Sequence, residues 1–226
     1  MRNKILKNIQ RNLIRAFNKI SFLELNINYK IPDYDFLSDN YDCIIDVGYA
    51  SGTDYFKEYD KAYFIIIEPN PKYFKAIDDF LNINNGIHIK EAASNKEGEE
   101  AFYLRDKASS LIKSSNKNER KIKIKTNTID NMLLDYNIKF KNIILKIDTE
   151  GHELNVLKGA SKLLKSNSLK RILLELRLKD IKTYNPSELI NFLYNKNFLW
   201  DEVLHIGHRN SGPNYIDLLF RKRNKI

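Results

Sequence analysis

Residues 43–52 read Cys-Ile-Ile-Asp-Val-Gly-Tyr-Ala-Ser-Gly, an apolar run that ends in an acid and two glycines. Glycine lets a chain turn sharply after a strand and lets its backbone approach a ligand closely. In open α/β sheets, ligands bind beyond the carboxyl ends of the strands, where such a turn lies. The segment therefore predicts a buried strand followed by a ligand-binding loop.

The acid in this loop indicates which kind of ligand it binds. Asp46 stands two residues before Gly48, at the end of the predicted strand. A carboxylate at this place repels the pyrophosphate of a dinucleotide and attracts a cationic amino group. The chain also lacks the Gly-x-Gly-x-x-Gly sequence that is typical of dinucleotide-binding loops. These features favour S-adenosylmethionine over NAD, and they rank an NAD oxidoreductase low.

A second acid follows the next apolar run. Glu68 and Pro69 come directly after residues 63–67, and Glu68 lies twenty residues beyond Gly48. An acid at this position accepts hydrogen bonds from the ribose hydroxyls in nucleotide-binding folds. Together, the two segments predict a site for a nucleoside cofactor.

Short apolar runs alternate with helical patterns along the chain, which is typical of βα units around a mostly parallel sheet. No linker or internal repeat divides residues 41–226, so we assign them to one domain, in which the polar residues 105–118 predict a flexible lid. The predicted strands are 43–47, 63–67, 87–91, 101–104, 121–125, 142–147 and 171–176, with a terminal hairpin at 198–204 and 215–220. The predicted helices are 52–59, 71–81, 129–134, 153–164 and 186–194.

The first 40 residues have a different pattern. Residues 1–20 carry apolar side chains at helical spacing with basic ones mostly elsewhere around the helix, which predicts a basic amphipathic N-terminal helix. Such a helix either packs its apolar stripe on the domain or lies on an anionic membrane surface. We therefore assign residues 1–40 to this helix and the lead-in to the domain.

The bulk composition limits the class of protein. The chain has 226 residues, of which 42% are hydrophobic, and this supports a packed core. Its single cysteine, Cys43, cannot form an internal disulfide, and no run approaches the roughly 20 apolar residues of a membrane span. We therefore expect a cytoplasmic protein without a transmembrane span. Peripheral attachment at the inner membrane surface and a homo-oligomer stay open.

A second acid-rich segment concentrates titratable side chains. Residues 146–153 read Lys-Ile-Asp-Thr-Glu-Gly-His-Glu. Methyl transfer to a hydroxyl requires that the two reactants be positioned and that a proton be removed. His152 can act as the general base, oriented by Glu150; alternatively, Asp148, Glu175 and a third ligand can bind a divalent metal ion that acidifies the hydroxyl. The acids also suit the positive end of the following helix.

The chain resembles the FkbM family of methyltransferases over residues 41–176. The resemblance is carried by four segments: Ile-Ile-Asp-Val-Gly-x-x-x-Gly, Glu-Pro-Asn-Pro, Ala-Ala-Ser-Asn-Lys-Glu-Gly from Ala92, and Leu-Lys-Ile-Asp-Thr-Glu-Gly-His-Glu-x-x-Val-Leu-Lys-Gly-Ala. The last segment is the most specific of them. The family typically reads Ala-Asn-x-Gly where this chain has Tyr49-Ala50-Ser51-Gly52.

This resemblance implies a fold, an activity and a set of site residues. The fold is that of the class I methyltransferases, which is Rossmann-like, with a seven-stranded, mostly parallel sheet, helices on both faces and an antiparallel last strand. The activity is S-adenosylmethionine-dependent O-methylation, often of sugars. We expect a sugar hydroxyl on an anionic sugar nucleotide or a glycan precursor in a surface-polysaccharide or similar pathway. The cofactor residues implied are Asp46, Gly48 and Gly52 at the methionyl part, Glu68 at the ribose, Ala92 and its neighbours at the adenine, and Asp148 facing the sulfonium and the acceptor. Tyr49 and Pro69 are expected to bind the cofactor as well.

Two other functions compete with this interpretation. The formal charge of +9 and the basic ends favour anionic partners, which suggests an RNA or protein methyltransferase. However, residues 148–151 stand where an amine-methylating Asn-Pro-Pro-Tyr motif would, and acids repel nucleic-acid phosphates unless a metal intervenes. We therefore do not expect nucleic acid as a partner. A non-catalytic basic protein with the same fold, which binds nucleic acid or membrane, is the other alternative.

Overall fold

The structure is a computed structural model and describes residues 35–56, 59–105, 108–114, 119–178, 183–209 and 212–223. The predicted N-terminal helix lies outside the described residues, so the division of the chain at residue 40 stays a prediction. Of the unit Met1–Asp39, a 3-10 turn at Asp35–Ser38 is described. The remaining elements belong to the unit Asn40–Ile226.

Strands and short helices alternate in this second unit. The strands are β1 (Cys43–Val47), β2 (Tyr63–Ile67), β3 (Gly86–Ile89), β4 (Ala92–Ala93), β5 (Gly98–Tyr103), β6 (Lys121–Asn127), β7 (Ile143–Ile147), β8 (Leu169–Arg177), β9 (Phe198–Arg209) and β10 (Gly212–Lys222). The helices are α1 (Phe74–Leu81), α2 (Ile129–Asp135), α3 (Glu153–Lys158), α4 (Ser161–Lys165) and α5 (Pro186–Asn195), and 3-10 turns lie at Asp54–Phe56 and Pro71–Tyr73.

Seven strands form the main sheet, in the order β3-β2-β1-β7-β8-β10-β9. The first five run parallel to one another, whereas β10 runs antiparallel to both of its neighbours, β8 and β9. This confirms the predicted mostly parallel sheet with an antiparallel last strand. This order places the carboxyl ends of β1, β2, β7 and β8 side by side at one edge of the sheet.

Helices cover both faces of the sheet. Successive side chains of a strand point to opposite faces, so Phe64 and Ile65 of β2 mark the two sides. The ring of Phe64 packs edge-on against Phe80 of α1, with ring centroids 4.9 Å apart. Ile65 lies in the core cluster that also holds Leu157 of α3 and Leu189 of α5. This two-sided burial explains why β1 and β7 are buried at every position.

The predicted helix at 52–59 is wrong in its described part. Residues 54–56 form only a 3-10 turn, and residues 57–58 lie outside the described part of the chain. The reason is local, because the hydroxyl of Thr53 donates to Asp46 Oδ2 at 2.5 Å and draws the chain back toward β1. An α-helix N-terminus therefore does not contribute amide groups to this loop.

A small second sheet stands beside the main one, in the order β4-β6-β5. Its buried cluster consists of Ala92, Phe102 and Ile124. The chain pattern predicted β5 and β6 as short strands but did not predict that they pair with each other. Across the described residues, no helix is long and apolar enough to span a membrane.

Candidate active site

The loops that follow β1 and β7 touch each other through their backbones. Gly48 has a φ of 79°, and a Cβ atom at this position would lie 1.8 Å from the carbonyl oxygen of Asp148. The Gly48 N–H donates to the carbonyl oxygen of Ile67 at 3.0 Å, and the Asp148 N–H donates to that of Val47 at 3.0 Å. The predicted ligand-binding loop is therefore fixed at the point where β1, β2 and β7 end.

A buried ion pair lies directly beneath these loops. Asp46, which is 1% exposed, has its Oδ1 3.1 Å from Lys146 Nζ. Burial opposes the charge on the Lys146 ammonium, but the carboxylates of Asp46 and Asp148 outweigh it and hold the lysine pKa above its usual value. Both Asp46 oxygens are thus engaged, one by Thr53 and one by Lys146.

Glu68 links the first loop to the second. Its Oε2 accepts a hydrogen bond from the Ala50 N–H at 3.0 Å, and its Oε1 accepts one from the Asn70 N–H at 2.8 Å. Burial raises the pKa of this carboxyl, and the two backbone donors oppose that effect. The side chain is therefore held at the end of β2, where the sequence predicts a ribose contact.

A cleft opens above the strand ends, and the empty space in it and at its solvent-exposed mouth is about 370 Å³. Six of the predicted site residues line it, whereas Asp46, Tyr49, Gly52, Glu150 and Glu175 are not among the lining residues described. The ring of Tyr49 instead packs against Phe80 at 5.7 Å, and the Gly52 N–H donates to the Tyr49 carbonyl at 2.9 Å, so both support the loop. The lining residues are Val47, Gly48, Ile67, Glu68, Pro69, Ala92, Ala93, Phe102, Ser109, Ser110, Leu111, Asp148, Thr149 and His152.

Eight of the lining residues were not predicted as site residues, and three of them, Val47, Ile67 and Ala93, belong to β1, β2 and β4. Phe102 of β5 and residues 109–111 close one side of the cleft, and Thr149 completes the second loop. The hydroxyl of Ser110 donates to the Thr149 carbonyl at 3.0 Å, and Asn70 Nδ2 donates to Ser109 Oγ at 3.3 Å. The described part of the predicted lid thus lies over the cleft and is hydrogen-bonded to two strand-end loops. A polar stretch with paired serines was its sequence signal.

His152 has different partners from those predicted. Its Nε2 lies 3.0 Å from Ser94 Oγ, and its Nδ1 lies 3.4 Å from Asn155 Nδ2. Glu150, which the sequence suggests as the group that orients His152, forms an ion pair with Arg177 in this structure. Burial lowers the pKa of His152 to about 4, so the ring is neutral at pH 7.

Glu153 shapes the second loop. It is fully buried and accepts hydrogen bonds from the Gly151 N–H at 2.8 Å, the Thr149 N–H at 3.1 Å and the Tyr184 hydroxyl at 2.5 Å. A position at the N-terminus of α3 favours an acid as well. The Tyr184 hydroxyl is therefore bound to this carboxylate.

Three carboxylates gather beyond the ends of β7 and β8. Oxygen atoms of Asp148, Glu150 and Glu175 lie within 4.8 Å of one another, and Asp148 Oδ1 is buried without a hydrogen-bond partner among the described residues. Such a donor set suits a hard divalent cation. Lys146, 3.7 Å from Asp148 Oδ2, and Arg177, paired with Glu150, already supply positive charge. The residues fit a divalent ion, with two of the three carboxylates partly neutralised by the protein.

Glu175 lies between two other acids. It faces Asp217 of β10 in the antiparallel register, and the Tyr55 hydroxyl donates to Asp217 Oδ2 at 2.7 Å. Burial, and then the charges of Asp148 and Asp217, raise the pKa of Glu175 to about 9. Glu175 therefore holds a proton at neutral pH when no cation lies beside it.

The sequence matches a known family of methyltransferase domains. Residues 46–199 match the methyltransferase FkbM domain, which covers more than half of the chain. The protein is therefore a member of the FkbM methyltransferase domain family, as the sequence predicts. No curated protein matches the sequence.

Solved structures resemble this chain at low sequence identity. Methyltransferase FkbM from Methylobacillus flagellatus KT aligns with a TM-score of 0.52 and 14% identity over 80% of this chain, which spans 44% of that protein. An rRNA methylase from Streptococcus thermophilus aligns with a TM-score of 0.48 and 11% identity, and the alignment covers 84% of this chain and 94% of the methylase. Magnesium protoporphyrin IX methyltransferase from Synechocystis PCC 6803, solved with bound SAM, aligns with a TM-score of 0.47 and 10% identity. The alignment covers 96% of this chain and 83% of that protein. The likeness to the Methylobacillus protein concerns the fold alone.

Proposed function

We propose that the protein is an S-adenosylmethionine-dependent O-methyltransferase that acts on a sugar hydroxyl. The observation that carries this proposal is the single cleft that unites Gly48, Glu68, Ala92 and Asp148. These residues come from the four segments that resemble the family, and they are spread over about a hundred residues of sequence. Their meeting at the strand ends matches the general ligand position of open α/β sheets.

The chemistry of the cleft walls suggests how the cofactor lies. Ala92, Ala93 and Phe102 offer an apolar wall for the adenine ring. Glu68 keeps lone pairs for the ribose hydroxyls, since each of its oxygens accepts one backbone hydrogen bond, from Ala50 or from Asn70. The methionyl part then extends toward Gly48 and Asp148. Asp46 supports this loop from behind, because Thr53 and Lys146 engage its carboxylate.

The acceptor belongs on the side of Asp148 and Glu175. In an in-line displacement the attacking oxygen bonds to the methyl carbon, the sulfonium leaves as a neutral thioether, and the hydroxyl proton goes to a base. A sulfonium cation beside the two carboxyls lowers their pKa values, so cofactor binding favours the ionised form that accepts the proton. We assign this role to Asp148 and Glu175. His152 lies beside Ser94 and forms part of the cofactor wall.

Metal assistance is the second form of this mechanism. Asp148, Glu175 and Glu150 would hold a divalent ion, which acidifies an acceptor hydroxyl when bound. Removal of the ion should then abolish methyl transfer. Cofactor binding should remain, because Glu68 follows β2 and Ala92 lies on β4, whereas the three carboxylates lie near β7 and β8.

The substrate class rests on the family resemblance and on charge. The chain carries a net charge of +9, which favours an anionic acceptor such as a sugar nucleotide or a glycan precursor of the cytoplasm. The carboxylates near Asp148 suit a neutral hydroxyl at the reacting end of that acceptor, since they repel a phosphate placed against them.

A transfer assay tests the proposal. The protein is incubated with S-adenosylmethionine and a panel of sugar nucleotides, with and without a chelator, and products are analysed by mass spectrometry. We expect addition of one methyl group, lost in Asp148→Asn and retained in the control Asp79→Asn, an exposed acid paired with Lys75. Methylation of added RNA with none of the sugar nucleotides modified would overturn the sugar assignment.

A further inference from the structure

Lys146 makes three contacts with the two loops that form the cleft. It lies on β7, directly opposite Asp46 of β1 in the parallel register. Its Nζ is 3.1 Å from Asp46 Oδ1 and 3.7 Å from Asp148 Oδ2, and it donates to the Gly48 carbonyl at 2.8 Å. One buried ammonium thus contacts both strand-end acids and the turn between them.

We infer that Lys146 is a positioning residue for cofactor binding and methyl transfer, because its ammonium lies 3.7 Å from Asp148 Oδ2 and donates to the Gly48 carbonyl, and so fixes both loops at the cleft. This inference rests on the proposed function. Lys146 is not among the residues that line the cleft, so it acts through Asp148 and Gly48 rather than by touching the cofactor.

The backbone contacts alone do not fix the Asp148 side chain. The Asp148 N–H is bound to Val47, and its carbonyl lies against Gly48, but its Oδ1 has no hydrogen-bond partner among the described residues. The Lys146 ammonium lies 3.7 Å from its Oδ2. Loss of the ammonium would leave the carboxylates of Asp46 and Asp148 facing each other without a cation between them, and like charges in a buried site repel.

The contact with Gly48 couples the two loops. The Gly48 N–H is bound to Ile67, and its carbonyl is bound to Lys146. Both polar groups of this turn are therefore anchored to neighbouring strands. A neutral side chain at position 146 would release the Gly48 carbonyl and the Asp148 carboxylate together. One residue can therefore affect both the methionyl side and the reacting side of the cleft.

The test compares cofactor binding by titration calorimetry in four variants: Lys146→Met, Lys146→Arg, Asp148→Asn and the double variant Lys146→Met/Asp148→Asn. Lys146→Met should weaken binding of S-adenosylmethionine about 10-fold or more, and the double variant should be no weaker than the worse single variant. Lys146→Arg, which keeps the charge and the donors, should stay within about 3-fold of the wild type. Lys222→Met is the control, because Lys222 also donates to backbone carbonyls but at Leu164 and Ser166, away from the cleft.

The outcomes separate this inference from the proposed function. A wild-type protein that binds no S-adenosylmethionine overturns the proposed function and the inference with it. A wild type that binds while Lys146→Met binds equally well, or while the losses of the single variants simply add, overturns the positioning role alone. If Lys146→Met does not fold, Lys146→Gln replaces it, because its amide donates without a charge. Lys146→Gln binding as tightly as Lys146→Arg then overturns the role.

Discussion

The carbonyl oxygen of Asp148 lies 1.8 Å from the place that a Cβ atom of residue 48 would occupy. The two residues are a hundred positions apart, yet their loops are packed so closely that only glycine fits at position 48 without displacing backbone. Contact of this kind makes the strand-end loops a single rigid unit.

Gly48→Ala should therefore destabilise the protein by about 3 kcal/mol or more, since it adds a backbone clash to the strain of a φ of 79°. Urea unfolding measures the change. Gly52→Ala is the matched control, because residue 52 has a φ of 121° but its added Cβ would meet its nearest neighbour, the Tyr49 hydroxyl, at 3.7 Å. Equal losses in the two variants would show that the clash with Asp148 is unimportant.

Ala50 is strained in the same loop. Its φ is 47°, a left-handed conformation that alanine rarely adopts and asparagine tolerates. Ala50→Asn should stabilise the protein by about 0.5–1 kcal/mol and leave the backbone hydrogen bond to Glu68 in place. A rise in melting temperature checks this. Ser51→Asn, at an exposed neighbouring position without a positive φ, should change the melting temperature little; destabilisation by Ala50→Asn would contradict the assigned backbone.

His152 should make stability depend on pH. Its pKa falls from about 6.5 in the unfolded chain to about 4 in the folded protein because of burial, so the unfolded chain binds more protons between these values. The neutral His152 therefore makes its full contribution to the free energy of unfolding above pH 6.5. This contribution, about 2–3 kcal/mol in total, is lost as the pH falls toward 4. Urea unfolding at pH 7 and pH 5 should show a smaller difference in His152→Asn than in the wild type. The exposed His208→Asn should keep the wild-type difference, and an unchanged difference in His152→Asn would contradict the burial argument.

Glu175 should make stability depend on pH in the direction opposite to His152. Its pKa rises from about 4.5 to about 9 because of burial and the neighbouring carboxylates, so the folded protein retains a proton that the unfolded chain releases. Its contribution to stability is complete below pH 4.5 and is lost as the pH rises through 9. Glu175→Gln, which resembles the protonated acid, should therefore be more stable than the wild type at pH 8 without ligand, and the difference should shrink as the pH falls toward 4.5.

Thermal unfolding in the presence of a chelator measures this difference, because a bound cation would also neutralise the acids. Glu202→Gln is the control, since Glu202 is an exposed glutamate on β9. If Glu175→Gln is no more stable than Glu202→Gln at pH 8, Glu175 is ionised in the folded protein at that pH.

Much of the sheet could be predicted because its strands are short and continuously apolar, and because glycine and acid follow β1 directly. The ribose candidate Glu68 was found in the same way, by its place after β2. The contact of Asp46 with Lys146 could not be predicted, since it depends on β7 lying beside β1, which a single sequence does not state. Phe102 was missed for a similar reason, because β5 reaches the cleft only through its pairing with β6. The failed helix at 52–59 reflects one side-chain bond, from Thr53 to Asp46.

The central claim is that this cleft holds S-adenosylmethionine, and calorimetric titration with S-adenosylhomocysteine tests it most directly, because that product needs no acceptor. We predict saturable binding of one molecule per chain, a higher melting temperature with ligand, and a loss of affinity of about 10-fold or more in Phe102→Ala and Glu68→Gln. Tyr194→Ala, an exposed aromatic on α5, should bind as the wild type does. An absence of binding by the wild type, or Phe102→Ala and Glu68→Gln both binding as tightly as the wild type, would contradict the claim.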